Sequence, residues 1–218
     1  MVWVYPKNGD RVMRKPTTWC TAENDFQSME LEQAQAKGIE SPGIVALRNI
    51  LEGQPTSPAD YHFITQWCSL HILRNKRMRN YFPDYQKQFP VEFEREVEFS
   101  ERFFKFMSVY TCTDTGFFIT SDHPVVEFPC DGHKIRLLII SPQKLVQFAP
   151  IRGNFSHGDG SFEDVVNAMT WGHALNHVYS HRGDVDTARL KSIADKRNIT
   201  TPNVETETVI LKRAIFPY

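Results

Sequence analysis

The sequence lacks several patterns that would narrow its function at once. It has four cysteines among 218 residues, and none of them forms a C-x-x-C pair: Cys20, Cys68, Cys112 and Cys130. Their scatter argues against a structural zinc knuckle or a thioredoxin-type redox site. No G-x-x-x-x-G-K-[ST] or G-x-G-x-x-G loop occurs, which lowers the expectation of a nucleotide-dependent enzyme. We expect the cysteines to be small buried thiols.

An excess of charge of one sign and a long apolar run are also missing. The formal net charge is −1, with 25 Lys and Arg against 26 Asp and Glu, so affinity for nucleic acid or an anionic membrane would need a local patch. No run approaches the roughly 18 apolar residues of a membrane span. The first residues lack the pattern of a secretory signal. These absences predict one cytoplasmic domain over 1–218 without a membrane partner.

Local signals predict a hairpin at the start of the chain and helices after it. Asn8-Gly9 separates two β-prone runs, which favours a tight turn. Two short helices are expected within residues 28–51, because Gly38 is suited to end the first and Ser41-Pro42 to begin the second. The second helix carries three apolar residues at helical spacing: Ile44, Leu47 and Leu51.

Two longer helices complete the predicted helical block. The clearer one begins at Ser57, where Pro58 fills the first position and Asp60 completes a capping-box-like pair, and we expect it to reach Tyr81. Residues 91–110 contain V-E-F-E-R-E-V-E-F, which alternates like a strand. Their length and glutamate content favour a helix instead.

The second half of the chain changes to short β-prone runs. We predict an antiparallel β-meander from four of them: Phe117–Thr120, Val125–Phe128, Ile135–Ile140 and Leu145–Phe148. A further helix should begin at Ser161 and reach Arg182, and Glu205–Lys212 is predicted to be a C-terminal strand. Helices in one block and strands in another predict an α+β fold rather than a βαβ alternation.

One face of the Ser57 helix carries polar residues among apolar ones. Trp67, His71, Arg74 and Met78 follow each other at steps of four, three and four, which places them on one side. A buried arginine needs a carboxylate partner, and three are available: Glu40, Asp25 and Asp122. The arrangement is either a structural ion pair or a pocket in which His71 and Arg74 act on an anionic substrate.

The same helix leads into a dense basic run that contains Arg74, Lys76, Arg77 and Arg79. Cations in the last turns of a helix interact favourably with its dipole, so a solvated helix end explains such a run. A phosphate-binding patch is the alternative. The sequence alone leaves both interpretations standing.

The segment T-S-D-H-P-V-V places Asp122 at the end of a β-prone run. Ser121, Asp122 and His123 have the residue types of a hydrolase triad, but neighbouring side chains of an extended segment point to opposite faces. Pro124 biases His123 towards that extended geometry. Adjacency therefore excludes a triad. Asp122 remains a candidate metal ligand, a general base or a turn residue that bonds its own backbone.

Three histidines recur at steps of four in the helix predicted from Ser161: His173, His177 and His181. Such spacing places imidazoles on successive helical turns. The zinc-protease signature H-E-x-x-H is absent, because the run reads H-A-L-N-H. We expect these histidines to border the apolar face of the helix rather than to bind a metal.

Six segments, in this order, resemble the family called domain of unknown function 4238. They are V-W-V-Y-P-K-N-G-D-R-V, A-E-N-D-F at Ala22–Phe26, I-E at Ile39-Glu40, H-I-L-R, S-D-H-P-V-V and the strand into I-S-P. The resemblance covers most of the chain and implies an intracellular α+β protein without an established activity. Members usually carry a His-Tyr-Val-Pro-like segment ahead of the first strand, which is missing here. A truncated or non-catalytic member is therefore an alternative.

Two functional hypotheses follow. The first is a metal-assisted hydrolase, such as a nuclease, that acts on nucleic acid or a small phosphate ligand. Its divalent metal, for example Mg²⁺, would be held by Glu23, Asp25 and Asp122, and its catalytic residues would be Asp122, His71, Arg74 and Glu40. The second hypothesis is a non-catalytic binding or interaction protein in which the same polar residues form a structural network.

Overall fold

The chain divides into two compact units. Unit 1 comprises Met1–Glu23 and Ser108–Thr201, and unit 2 comprises Asn24–Met107 and Pro202–Tyr218. The computed structural model describes residues 1–9, 11–15, 33–74, 84–112, 116–130, 133–152, 161–197 and 199. The assignment of 1–218 to a single domain stays a prediction.

The predicted α+β fold is confirmed, because the described residues form five α-helices and two antiparallel four-stranded sheets. In chain order the elements are β1 (Val2–Pro6), β2 (Met13–Lys15), a π-helical segment (Ala36–Glu40), α1 (Ser41–Leu51), α2 (Pro58–Leu73), α3 (Tyr85–Phe103), β3 (Phe106–Thr111), β4 (Thr120–Ser121), β5 (Val125–Cys130), β6 (His133–Ile139), β7 (Lys144–Ala149), α4 (Phe162–His173), β8 (His177–Ser180) and α5 (Thr187–Lys196). Among these described helices, none is long and apolar enough to cross a membrane.

The first sheet has the strand order β2-β1-β8-β4. Strands β1 and β2 pair antiparallel with Val2 opposite Lys15, which confirms the predicted hairpin. Gly9 suits the turn between them because its φ of 83° lies in the left-handed region that favours glycine. Strand β8 pairs with β1 and with β4, so it joins the start of the chain to the middle.

The second sheet has the strand order β3-β7-β6-β5. Strands β5, β6 and β7 follow each other as antiparallel neighbours, which confirms three of the four runs of the predicted meander. The fourth run, Phe117–Thr120, was wrongly assigned to it. Only Thr120 of that run is in a strand, β4, and this strand pairs with β8 in the first sheet. Its partner follows much later in the chain, where no local signal reveals the pairing.

Helix α4 forms the centre of unit 1. Its Val165, Val166 and Met169 belong to an apolar cluster with residues of the second sheet. Its Ala168 and Trp171 belong to a cluster with residues of the first sheet and of α5. Because both flanks are covered, every residue from 165 to 173 is buried.

Helix α4 begins as predicted but ends early. The Ser161 hydroxyl accepts a hydrogen bond from the Asp164 N–H at 3.1 Å, which confirms the cap. The helix stops at His173 instead of reaching Arg182, because the following residues form β8 against β1. The predicted spacing of three histidines on one helix is therefore wrong, since His177 begins a strand. The β-prone sequence H-V-Y-S and its long-range pairing override the helical pattern.

Helix α2 also begins as predicted and ends early. The Ser57 hydroxyl accepts from the Asp60 N–H at 3.0 Å, and the Asp60 carboxylate accepts from the Ser57 N–H at 2.9 Å, so the capping box is complete. The helix ends at Leu73 rather than Tyr81, with Arg74 as its C-cap. The rest of the predicted basic run, Lys76, Arg77 and Arg79, lies outside the described residues.

The predicted break at Gly38 is wrong. The chain is helical from 33 to 51, with the π-helical segment in the middle. The Ser41 N–H donates to the carbonyl of Ala36, five residues earlier. Pro42 comes next and has no N–H with which to bond the Gly38 carbonyl. A wider π-helical turn accommodates this gap in the hydrogen-bond ladder.

Helix α3 was predicted within 91–110, and the structure confirms the helix as far as Phe103. The prediction fails beyond that point because the uncharged, β-prone run from Phe106 forms β3. Helix α3 runs antiparallel to α2, because the Tyr85 hydroxyl donates to the Leu73 carbonyl at 2.9 Å near one end and the Tyr61 hydroxyl donates to the Phe104 carbonyl near the other. The predicted C-terminal strand, Glu205–Lys212, lies outside the described residues.

Candidate functional site

The predicted site residues fall in different parts of the chain. Glu40, His71 and Arg74 belong to unit 2, and Asp122 belongs to unit 1. Glu23 and Asp25 lie outside the described residues, so their role as metal ligands stays a prediction.

Unit 2 brings Glu40 and Arg74 together. Glu40 ends the π-helical segment, Arg74 caps the end of α2, and the Arg74 guanidinium donates to the Glu40 carboxylate. Of the three carboxylates predicted as partners, Glu40 forms this ion pair. The side chains of Arg74 and Glu40 are 24% and 30% exposed, so the pair lies near the surface rather than in the core.

His71 lies one turn before Arg74 on the same helix and stacks on an aromatic ring. Its centroid is 3.8 Å from that of Trp67, with a tilt of 39° between the rings. Trp67 in turn contacts α1 at Gly43, where an added Cβ would lie 2.7 Å from the indole Cδ1. Glycine is therefore needed for this close approach. Met78, the fourth residue predicted on this face, lies outside the described residues.

The group around Arg74 has the chemistry of a weak anion site. A guanidinium and an imidazole on adjacent turns are suited to a phosphate or a carboxylate. Glu40 neutralises the charge of Arg74, however, so the group presents less positive charge than an isolated arginine would. An incoming anion would have to compete with Glu40 for the guanidinium.

Asp122 in unit 1 has a different environment. Its carboxylate accepts three main-chain hydrogen bonds: from the N–H of Leu175 at 2.8 Å, of Asn176 at 2.7 Å and of His177 at 3.2 Å. The Asp122 N–H also donates to the His177 carbonyl at 3.2 Å. The side chain therefore fixes the connection between α4 and β8 onto the end of β4.

These hydrogen bonds can be compared with the three predicted roles of Asp122: turn residue, metal ligand and general base. It bonds main-chain groups, as a turn residue would, but they lie more than fifty residues away along the chain rather than in its own turn. The three N–H donors occupy three of the roughly four lone-pair sites of the carboxylate, so a metal ion or a substrate proton would find one site left, on Oδ1. The assignments of Asp122 as a metal ligand and as a catalytic residue stay predictions.

The neighbours of Asp122 form a local turn. The Ser121 hydroxyl donates to the His123 carbonyl at 2.8 Å and accepts from the His123 N–H at 3.1 Å. This hydroxyl thus bonds the main chain of His123, which agrees with the exclusion of a triad. Both side chains are buried, at 5% and 6% exposure.

Sequence reasoning missed Lys7, which lies in the turn region after β1. Its ammonium group donates to the carbonyls of Gly172 at 3.2 Å and Ala174 at 2.9 Å, at the C-terminal end of α4. Helix C-termini present unpaired carbonyls with partial negative charge, which a cation satisfies. No signal in the sequence connects residues so far apart.

Asn167 was also missed, although it stands out in the apolar stretch of α4. Its amide nitrogen donates to the Phe117 carbonyl at 2.8 Å, and its amide oxygen accepts from the Ile119 N–H at 2.9 Å. The buried side chain thus imitates a neighbouring strand for the segment that leads into β4. A polar residue flanked by Val165, Val166 and Met169 is the signal that would have identified it.

A third group that was missed lies on the β5–β6 hairpin. Glu127 is the register partner of Arg136 and binds it at 2.6 Å and 2.8 Å, and the Lys134 ammonium group lies 2.6 Å from the other Glu127 oxygen. Arg136 is only 1% exposed. Burial opposes the ionisation of Glu127, but the charges of Lys134 and Arg136 outweigh it and lower the Glu127 pKa to about 2.

The remaining chemical groups of interest are metal ligands and thiols. Within the described residues, no group of three or more His, Cys, Asp or Glu side chains is arranged to hold a metal ion. Burial, and then the negative charge of Glu163, raise the pKa of Cys112 to about 11. Cys68 is a buried free thiol, as predicted, whereas Cys112 is a thiol at neutral pH but is only half-buried, so its predicted burial is wrong.

Comparisons with known proteins do not assign the chain. No family model, no curated protein and no solved structure matches it. The resemblance to domain of unknown function 4238 stays a prediction.

Proposed function

We propose that this protein is a non-catalytic binding or interaction protein whose polar network is structural. The observation that carries the proposal is the carboxylate of Asp122, which accepts three main-chain N–H groups. A catalytic carboxylate needs an oxygen that faces a substrate or a metal. Here both oxygens hold the α4–β8 connection in place.

Other polar side chains of unit 1 support the same role. Asn167 bonds the main chain before β4, and Lys7 bonds the last carbonyls of α4. Each of these side chains links segments that are distant in the sequence. A satisfied polar network of this kind specifies how the elements pack.

The test compares the stability of Asp122 variants. Asp122→Ala leaves three main-chain donors without their acceptor, and we expect a loss of about 2–3 kcal/mol in the free energy of unfolding. Asp122→Asn should also destabilise, because its amide nitrogen would face N–H donors. Asp195→Asn is the matched control, since the Asp195 carboxylate is exposed and pairs with Lys191; we expect a change within about 0.5 kcal/mol.

Chemical denaturation monitored by circular dichroism measures these differences. Normal stability of both Asp122 variants, combined with loss of a bound ligand, would assign Asp122 to a binding or catalytic site and overturn the proposal. A large loss of stability with unchanged ligand behaviour supports it.

A metal-assisted hydrolase acting on a phosphate-containing substrate is the second candidate. The observation that favours it is the grouping of His71, Arg74 and Glu40 at the end of α2, where Arg74 and Glu40 remain partly exposed. In this candidate, His71 and Arg74 contact the phosphate, and a divalent ion such as Mg²⁺ assists its cleavage. The ligand is a nucleic acid or a small phosphate compound.

A thermal-shift screen separates the two candidates. A ligand at 100 times its dissociation constant stabilises a protein by roughly 2.7 kcal/mol, so Mg²⁺, Mn²⁺, Zn²⁺, nucleotides and short nucleic acids are tested in turn. A metal-dependent shift that disappears in Asp25→Asn favours the hydrolase. The absence of any shift favours the interaction protein.

A further inference from the structure

Helix α1 buries two small residues and one large one, and it exposes three large apolar residues. The buried side consists of Gly43, Ala46 and Ile50. On the opposite side, Ile44, Val45 and Leu51 are 49%, 54% and 39% exposed. The apolar spacing of Ile44 and Leu51 would ordinarily mark a core face. In α1, however, Ile44 and Leu51 lie on an exposed face.

The orientation of α1 is fixed by its contact with α2. At Gly43 the Trp67 indole lies so close that a Cβ would be 2.7 Å from it, so a bulkier side of the helix does not fit there. The Asn49 amide also donates to Asp60 of α2 at 3.3 Å. Rotating α1 to bury Ile44 would break both contacts. The contacts with α2 therefore keep this apolar face of α1 exposed.

Two opposite charges lie on the same face, one turn apart. With about 100° between successive residues, Arg48 lies about 40° around the helix from Ile44, and Glu52 follows it on the same side. Both side chains are exposed. Within the described part of the chain, neither takes part in an ion pair. We refer to Ile44, Val45, Arg48, Leu51 and Glu52 as the α1 face.

We infer that the α1 face binds a second copy of this chain, with the two α1 helices antiparallel about a two-fold axis. The inference rests on the proposed function and names the partner. A two-fold interface uses the same patch on both copies, so each cation must meet an anion of that patch. The α1 face meets this condition, because Arg48 of each copy reaches the partner's Glu52.

This register also brings apolar residues together. When Arg48 lies opposite the partner's Glu52, the axis passes beside residue 50. Leu51 then lies about 1.5 Å of helix rise from the axis, which places it against the partner's Leu51. The interface thus has an apolar centre flanked by two identical ion pairs.

The experiment measures self-association of the full chain by sedimentation equilibrium over a range of concentrations. Arg48→Glu and Glu52→Arg, each alone, place like charges opposite each other, and we expect the dissociation constant of the dimer to rise about tenfold or more. An equimolar mixture of the two variants should restore association, because each cation again meets an anion. Arg102→Glu is the control, since Arg102 is an exposed cation on α3, and it should leave the dissociation constant unchanged.

Three outcomes overturn the inference: a monomer at all concentrations, a dimer that neither charge reversal weakens, or a weakened dimer that mixing does not restore. Circular dichroism of each variant verifies that the exposed substitutions leave the fold intact. The Asp122 measurements are independent of association. A monomeric protein with strongly destabilised Asp122 variants would refute the α1 dimer and leave the proposed function standing.

Discussion

Asp122 in unit 1 and Glu40 in unit 2 are both half-buried carboxylates, yet they hold different kinds of partner. Asp122 accepts three main-chain N–H groups, whereas Glu40 binds one guanidinium, that of Arg74. Main-chain bonds tie a side chain to the path of the polypeptide. A pair of surface side chains exchanges easily with water or with a ligand. The hydrogen-bond partner of a carboxylate, more than its burial, decides whether the carboxylate is structural or available to a ligand.

The same contrast extends through the two units. In unit 1, Asn167 and Lys7 also bond main-chain groups, and Glu127 is held between two cations on a hairpin. In unit 2, His71 stacks on a neighbouring ring beside the partly exposed Arg74. We therefore expect polar substitutions in unit 1 to change stability, and those at the end of α2 to change stability little.

The largest effect should come from Arg136→Ala. This change leaves a cavity where a 1% exposed side chain was, and it removes one of two cations from Glu127. Breaking a buried ion pair by removing one partner costs about 3–5 kcal/mol. Arg102→Ala is the matched control, because the Arg102 side chain is 79% exposed and pairs with Glu98. Urea denaturation of both variants measures the difference, and equal effects would contradict the contrast between the units.

The next effect concerns acid stability. The pKa of Glu127 is lowered from 4.5 to about 2 in the folded protein. A carboxyl with a depressed folded pKa contributes stability that is fully present above its unfolded pKa and is lost as the pH falls towards the folded value. We expect Glu127→Gln to flatten the dependence of unfolding free energy on pH between about 4.5 and about 2, relative to the unsubstituted protein. Parallel curves for the two proteins would show that Glu127 is not the responsible group.

Two glycines of unit 2 should respond with opposite signs. Gly43→Ala forces a Cβ to within 2.7 Å of Trp67, and overpacking of this kind costs about 1–3 kcal/mol. Gly38→Ala meets no atom within 4 Å and lies in a helical stretch, so it should stabilise by about 0.5–1 kcal/mol. Thermal unfolding compares the two variants. A neutral Gly43→Ala would mean that α1 is free to shift on α2, which would also weaken the argument for a fixed α1 face.

The predictable features of the fold are those with local signals. The turn at Gly9, the Ser57 capping box and the three-strand meander each depend on residues close in sequence, and all three are confirmed. The sequence predicts helix where β8 lies, because the partner strand β1 lies at the other end of the chain. The outward face of α1 was hidden as well, since apolar spacing indicates amphipathicity without indicating which side is buried.

The candidate site was predictable to a similar degree. Helical spacing places His71 and Arg74 on one face, because side chains on one helix have a fixed geometry. Glu40 is predictable only as one of three carboxylates that an arginine could pair with. The role of Asp122 escaped prediction because its three donors lie on the α4–β8 connection, more than fifty residues away. Long-range polar contacts have no periodicity, so residue types alone give no indication of them.

The smallest effect on stability should come from the Glu40–Arg74 pair. Both side chains are partly exposed, and a double-mutant cycle with Glu40→Gln and Arg74→Gln should give a coupling energy below about 1 kcal/mol. The two single variants differ in a second measurement, which is the affinity for inorganic phosphate by calorimetry. If Arg74 is available to anions, Glu40→Gln strengthens phosphate binding by removing a competitor, and Arg74→Gln abolishes it. If neither variant changes phosphate binding, the end of α2 does not bind anions, and the hydrolase candidate loses its remaining support.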